Sequence, residues 1–491
     1  MFFKKNVFTF LFVGMLATKV YAQELPPMDS NILYGKLENG LTYYIKKNTT
    51  PKNKLALNLV VKAGSLMETD KQLGLAHLLE HMAFNGSKNF PKNSIDDYFN
   101  SIGLSLGSHF NASTGFETTN YRFEIPTNQT GVVENGIHIL SDMVSNLDLS
   151  DEAFDRERKI IEEEWRGGLG IRNRHFQQVG KLLLNNSRYF YRKPIGNIKT
   201  IRTFAYEEVR KFYNDWYQPS SMGIFAVGDI EPKEIEAFIK TYFSPIANTK
   251  KVTFPNYSIP DFKKNQFTVF RDKKKDYLSF SIYEKRDYIQ INSYENHRVH
   301  LIQELALLIL RKRFDELVNK KNTIVLESGF TPVKITRDSY YNLAYAILDD
   351  DYILEGIEEL ITSIESTKKF GFTQQELDQV TKEVLTHYQQ SVKEYSTISS
   401  KKHINEYIRN FTENEMIVGS EAMYLLVKET LPTISLEDLN RSYKEALNGK
   451  NRIIEITAPE RIKNLPSEED VEKIFSKVRA KELVQTSFKI N

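Results

Sequence analysis

The stretch GLAHLLEHMAFNGS, Gly74–Ser87, places two histidines four residues apart, His77 and His81, with Glu80 between them in a run that is otherwise apolar or small. Residues i and i+4 of a helix share a face, so the two imidazoles can point at one ion. At about 100° per residue, His81 lies about 40° from His77, and Glu80 lies about 60° to the other side. That carboxylate is too far round to be the natural third ligand, but it can reach a water held by the ion. Zinc lowers the pKa of such a water, and Glu80 takes its proton as the water attacks a carbonyl. A lone histidine in an apolar helix reads as a satisfied core residue. Two at this spacing, with an acid beside them, read as half of a metal site.

Tetrahedral zinc needs a third protein ligand and leaves its fourth position open. ERKIIEEE, Glu157–Glu164, offers four glutamates. With Glu157 as the origin on a helix, Phe154 falls at about 60°, Ile160 at about −60°, Ile161 at about 40° and Glu164 at about −20°. Glu157 and Glu164 therefore share the apolar face, two turns apart, while Glu162 and Glu163 point elsewhere. A carboxylate on a buried face needs a compensating charge, which a zinc ion supplies. The competing reading is a solvated face of ion pairs with a partly exposed Glu157, and the isoleucines argue against it.

Outward from this helix pair the chain repeats one grammar. YGKLENGLTYYIKKN alternates around Asn39-Gly40 as a hairpin. KLALNLVVKAGS from Lys54, YRFEIP at Tyr121 and SMGIFAVGDI read as strands. SIDDYFNSIG, NGIHILSDMVSNL, the stretch from Asp151 to about Trp165, EEVRKFYNDWYQP and EPKEIEAFIKTYF read as helices. SPIANTKKVTFPNYSIPDF, from Ser244, holds three prolines with little periodicity and reads as a linker. The grammar then restarts with QFTVFR, YLSFSIYEKR, the long helix ENHRVHLIQELALLILRKRFDEL, SGFTPVKITR and YYNLAYAILD. Helical patterns dominate again from Glu355 to about Ser391 and near Asn405 to Lys428. RIIEITAP resembles the closing strand GIFAVGDI of the first half. Two similar-sized α+β halves are the simplest account; an ancient duplication would explain them, and no repeat in the sequence proves it. The expected boundaries are residues 30–245 for a metal-binding domain, 246–262 for the linker, and 263–491 for a second domain without a metal.

The chain has 491 residues, formal net charge +2 and no cysteine. Near-neutral charge with scattered Lys and Arg gives no nucleic-acid footprint. Lys4 and Lys5, the apolar run VFTFLFVGMLAT, and Val20 and Ala22 before Gln23 read as a cleavable secretory signal over residues 1–22, the competing reading being an uncleaved anchor. Export across the inner membrane to the periplasm or the exterior follows. No later run approaches the ~20 apolar residues of a membrane span. The lack of cysteine excludes thiol nucleophiles and Cys-based zinc sites. Three further features read as structural: His297 and His300 as surface or capping residues, the aromatic load as core and exposed tyrosine, and GGLG at Gly167 as a helix end.

H-x-x-E-H is the inverzincin arrangement. GLAHLLEHMAFNGSKNF, FNASTGFETTNYRFEIP and ERKIIEEEWR, with YRKPIG at Tyr191, FYNDWYQP at Phe212 and VGDIEPKEIEAFI at Val227, resemble the pitrilysin/insulinase family of zinc peptidases. The likeness is to the N-terminal half of the secreted, Bacteroidetes-type members. It covers the first half almost throughout and the second half more loosely, in INEYIRNF and KETLPTISLEDLN. The resemblance implies two α/β-sandwich domains of the insulinase/processing-peptidase type, forming one half of a clamshell. It implies one zinc ion per chain, held by His77, His81 and Glu164, with Glu80 as general base and Glu157 supporting a ligand histidine. The gap from His81 to Glu164 is somewhat longer than is usual for the family, as a small loop insertion would make it. FNASTGFETTNY then holds the substrate-binding edge strand, with Asn111 and Ala112 upon it; from the residues alone it reads equally as a polar loop–strand junction. The implied activity is endoproteolysis of peptides or unfolded protein segments.

In this family the far half supplies an Arg and a Tyr seven residues apart. Seven residues beyond Arg311 and Arg313 stand Val318 and Lys320. A second half-chain, as hetero- or homodimer, is therefore an expected partner. A zinc-stabilised peptide-binding or assembly subunit is the alternative to a peptidase.

Overall fold

The computed structural model describes residues 28–320 and 323–489. The expected signal segment, residues 1–22, lies outside the described residues. The strands of the first half are β1 (Leu33–Lys36), β2 (Thr42–Lys47), β3 (Lys54–Val61), β4 (Phe110–Thr114), β5 (Thr119–Pro126) and β6 (Met222–Gly228). Its main helices are α1 (Leu75–Asn85), α2 (Val132–Ser145), α3 (Asp151–Gly167), α4 (Tyr206–Trp216) and α5 (Pro232–Phe243). The second half holds β7 (Gln266–Asp272), β8 (Leu278–Asp287), β9 (Val325–Lys334), β10 (Ser339–Leu348) and β11 (Arg452–Pro459). Around them lie α6 (Tyr294–Val318), α7 (Ile353–Phe370), α8 (Gln374–Lys393), α9 (Ser400–Glu413), α10 (Leu436–Ala446) and α11 (Glu468–Ala480).

The strands form two sheets, ordered β1-β2-β6-β3-β5-β4 and β7-β11-β8-β10-β9. Without β1 the two are the same sheet. In each, the last strand in sequence inserts beside the first, parallel to it, and every other neighbouring pair is antiparallel. The likeness of RIIEITAP to GIFAVGDI thus reflects equivalent places, since β11 and β6 are the inserted strands. The Asn39-Gly40 hairpin forms between β1 and β2, with Gly40 at φ +95° as such a turn requires.

Strand alternation gives each sheet two faces, and both are covered. On the first sheet Ile45, Leu57, Tyr121 and Ile224 face the half's own helices in one large core. Tyr44, Val60, Phe225 and Val227 face the other way and pack on Ile404, Tyr407, Phe411 and Ile417. Those last residues lie on and just after α9, so the second half closes the outer face of the first half's sheet. The short helical segments of residues 171–191 make the reciprocal contact. Arg174 pairs with Asp272 on β7 through two hydrogen bonds, of 2.5 and 2.9 Å. His175 meets Glu455 on β11 at 2.6 Å, and Tyr341 donates to Leu183 O at 2.6 Å. One crossing is apolar and the other polar. Together they explain why β6 and β11 are buried at every residue.

Within the second half, Arg313 is a core residue. Its guanidinium donates to both carboxylate oxygens of Glu376, at 2.8 and 2.6 Å, and neither side chain is exposed. Glu376 also closes a capping box with Thr373 that restarts the helical run as α8, after Gly371 has ended α7. His297 departs from expectation: it is 3% exposed. The first turns of α6 pack under the ends of β8 to β10, so the side chain is enclosed there.

The aromatic hydroxyl of Tyr407 is buried without a hydrogen-bond partner. Tyr407→Phe is therefore expected to raise stability by about 1 kcal/mol, and Tyr407→Ala to lower it by about 3–5 kcal/mol. Urea midpoints of the two variants check both signs.

Candidate metal centre

The helix carrying the histidines is built into the core. Leu75, Ala76, Leu78, Leu79, Met82 and Ala83 of α1 are all buried, and a helix apolar on nearly all sides must be enclosed. Its start is fixed by two features. Gly74 precedes it at φ +103°, and its backbone lies against that of Gly196 so closely that a Cβ on Gly196 would come within 2.4 Å of the Gly74 Cα. Glu68, fully buried, accepts hydrogen bonds from the backbone N–H groups of Gly74 (3.0 Å) and Ala76 (2.9 Å). It thereby satisfies donors that the helix cannot satisfy itself and puts two acceptor oxygens at the start of the helix. Burial pushes the Glu68 carboxyl up to about 8 against the pull of these amides and of Arg192. Arg192 and Arg188 donate in turn to the Glu68 carbonyl.

On α1 the His77 and His81 rings stand 4.7 Å apart, nearly perpendicular. α3 lies alongside and brings Glu164 to them. Its Oε2 is 3.7 Å from His77 Nε2 and 3.5 Å from His81 Nε2, and the ligand atoms of the three residues all lie within 4.8 Å of one another. Those gaps exceed an ordinary hydrogen bond. The edges of a tetrahedron around an ion bonded at about 2.0–2.1 Å are about 3.3–3.5 Å long; the His81 gap equals such an edge and the His77 gap is slightly longer. Two imidazole nitrogens and one carboxylate oxygen suit zinc in chemistry as well as in spacing.

The other acids divide by their place on α3. Glu157 is buried, and its Oε2 lies 3.3 Å from His81 Nδ1, where it can fix the tautomer that leaves Nε2 free. Glu162 and Glu163 face away and pair with Arg202 and Arg166. Two details differ from the helical-wheel reading. Ile160 is 52% exposed, because α1 covers a narrower stripe of α3 than the apolar pattern implies. Glu164 is itself about half exposed, because it stands at the open mouth of the site.

Burial lowers the ordinary pKa of His77 to about 4, assisted by the neighbouring His81. Burial pulls His81 the same way, but Glu157 and Glu164 outweigh it and carry that imidazole up to about 9. A protonated His81 lies between two carboxylates and offsets part of their charge. Glu80 is also buried, which raises its carboxyl above the ordinary range. Its Oε2 accepts a hydrogen bond of 2.5 Å from Thr114 Oγ1, at the end of β4. Beneath it, Tyr121 and Tyr217 share a buried hydroxyl–hydroxyl bond of 2.9 Å.

β4 is the free edge of its sheet. The Ala112 N–H, on that edge, donates to the Asn111 Oδ1 at 2.8 Å, while the Ala112 methyl faces the core. The sequence reading did not find Glu68 or Thr114. Glu68 stands six residues before Gly74, with no fixed spacing to betray a cap. Thr114 meets Glu80 only through the sheet's pairing.

Glu68→Ala is expected to cost about 1–2 kcal/mol as a lost cap, with Glu68→Gln between it and wild type. Denaturant midpoints measure this.

Comparison with known proteins places these features in context. The model for Insulinase (Peptidase family M16) matches residues 43–168, and that for the Peptidase M16 inactive domain matches residues 203–384. Together they take in well over half of the chain. The chain is 30% identical over 442 residues to "Probable zinc protease PqqL" of Haemophilus influenzae, covering 90% of this chain and 48% of that protein. To the Escherichia coli protein of the same name it is 28% identical over 423 residues, covering 85% and 45%. It thus spans about half the length of the curated relatives it matches. The crystal structure of the first half of the periplasmic protease PqqL from Escherichia coli superposes with a TM-score of 0.91 at 26% identity, covering 94% of this chain and all of that one. Against the crystal structure of the whole protease the match covers 52% of its chain.

Proposed function

The chain belongs to the insulinase family of peptidases, family M16, and on that premise we propose that it is a secreted zinc-dependent endopeptidase acting on peptides or unfolded protein segments. The observation that carries this reading is the convergence of His77, His81 and Glu164, whose ligand atoms all lie within 4.8 Å of one another, with the Glu80 carboxylate alongside. The names of the relatives support the metal and the reaction class.

Zinc, when bound, supplies a Lewis acid that polarises a carbonyl and makes water a nucleophile near neutral pH. In this proposal His77, His81 and Glu164 hold one such ion per chain. Glu157 accepts the Nδ1–H of His81 and so keeps its Nε2 directed inward. Glu80 is the general base: it takes the proton of the attacking water and passes it to the leaving amine as the peptide bond breaks. Thr114 holds one oxygen of Glu80 and leaves the other for the proton. The open edge of β4 takes the substrate as an added strand at Asn111 and Ala112, with main-chain hydrogen bonds giving affinity. The proposed division is a catalytic domain over residues 30–245, a linker over 246–262 and a domain without a metal over 263–491. Residues 1–22 are proposed as the export signal, and the periplasm or the exterior as the destination. The described residues contain no helix long and apolar enough to cross a membrane.

The half-length match to its relatives favours a second reading, in which the chain binds zinc and peptide but cuts only with a partner half-chain, or serves one. A quenched fluorogenic peptide separates the two. Under the first reading the purified chain hydrolyses it, chelation stops the reaction, and Glu80→Gln lowers the rate roughly 10²–10⁴-fold while zinc stays bound. Cleavage that survives both chelation and Glu80→Gln sinks the peptidase assignment. Turnover that appears only when a second half-chain is added selects the partner-dependent form. Glu157→Gln is expected to weaken zinc binding roughly 10–100-fold, measured by competition with a chromophoric chelator.

A further inference from the structure

The second half contains a cavity of about 410 Å³, and none of its lining residues comes from the first half. It lies between the ends of β8, β9 and β10 and the helix α6. Its volume falls in the range of pockets that enclose small organic ligands, roughly 300–1,000 Å³. The wall is mostly apolar: Leu307 and Leu310 of α6 face Phe330 of β9 and the Tyr388 ring.

Three polar groups decide what could fill it. Arg286, near the end of β8 and opposite Tyr340 across the sheet, is half-buried. Its Nη1 is buried without a hydrogen-bond partner. Lys334, which also lines the cavity, is already paired with Glu413, whereas no carboxylate among the described residues lies within ion-pair distance of Arg286. His297, only 3% exposed, lines the same space with its Nδ1 unpartnered. Burial lowers its pKa to about 4, so it stays neutral at physiological pH. Glu304 is the acid on the wall. Burial raises its carboxyl above the ordinary range, and Tyr388 donates to its Oε2 at 3.4 Å. Buried polar atoms are nearly always satisfied in folded proteins. Arg286 and His297 both line this apolar space, and neither side chain makes a hydrogen bond among the described residues, so together they mark a place for a ligand with matching groups.

We propose that this cavity binds a small monocarboxylate carried on an apolar chain or ring, with the carboxylate on Arg286, the His297 imidazole as a second hydrogen-bond partner, and the apolar body against Leu307, Leu310 and Phe330. A planar guanidinium meets a carboxylate through two parallel hydrogen bonds, which a neutral or cationic head group cannot form. Free fatty acids and short peptides ending in an apolar residue share this chemistry.

Isothermal titration of the full chain tests it, with decanoate and N-acetyl-Phe-Leu as probes and 1-decanol as the uncharged control. At least one carboxylate is expected to bind with 1:1 stoichiometry below about 1 mM, and at least tenfold more tightly than the alcohol. Binding of decanoate alone identifies a fatty-acid site, and binding of the dipeptide alone identifies a peptide C-terminus. Arg286→Met, which keeps the stem and removes the charge, should weaken binding at least tenfold. Ala306→Phe, which fills the cavity from α6, should abolish it, with melting temperatures establishing that both variants fold. The proposal is overturned if neither probe binds, if decanol binds as tightly as decanoate, or if both folded variants bind like wild type.

Discussion

The contact between the His81 imidazole and the buried Glu157 carboxylate joins two helices through residues that stand 76 positions apart in the chain. A carboxylate enclosed by apolar side chains is destabilising without a partner, and so is a buried imidazole. Each supplies what the other lacks. That mutual requirement fixes the rotation of α3 against α1, and this rotation brings Glu164, two turns further along, to the mouth where both Nε2 atoms point. The precision of the site therefore comes from a contact behind it. The buried cap from Glu68 plays the same part along the axis of α1, setting where the helix begins and so where in the cleft its histidines stand.

The sequence made the local part of this legible. Helical angles alone separate Glu157 and Glu164 from Glu162 and Glu163, and the structure turns the first two toward the histidines and the last two toward arginines. Strand and helix order could likewise be read, because Asn-Gly, Pro and Gly punctuate runs of clear period. Contacts made by pairing across the sheet were hidden. Thr114 reaches Glu80 because β4 and β5 are in one particular register, and no spacing in the chain encodes that. Burial of His297 was hidden for a related reason: its neighbours come from the ends of three strands, while its own helix shows a polar first turn.

The two sheets share one strand order, yet they have parted in chemistry. The first keeps an acid-and-imidazole cluster on the helix that follows its second long strand. The equivalent place in the second half is taken by α6, whose Arg313 is neutralised by Glu376 inside the core. An ion pair so enclosed contributes little net stability against an apolar pair of the same size; it does fix how α6 meets α8. Similar frames thus hold opposite arrangements of charge: one left open at a cleft, the other sealed.

The crossing of α9 onto the first sheet has a bearing on the order in which the chain can mature. Tyr44, Val60, Phe225 and Val227 are complete by residue 227, but the residues that dry them arrive only after residue 400. Until then the first half carries an apolar face with nothing to cover it. A chain emerging from its N-terminus therefore cannot seal its own first domain until residues 404–417 have been made. Until then it remains a client for whatever protects exposed apolar surface, and the final locking of the first half waits on the second.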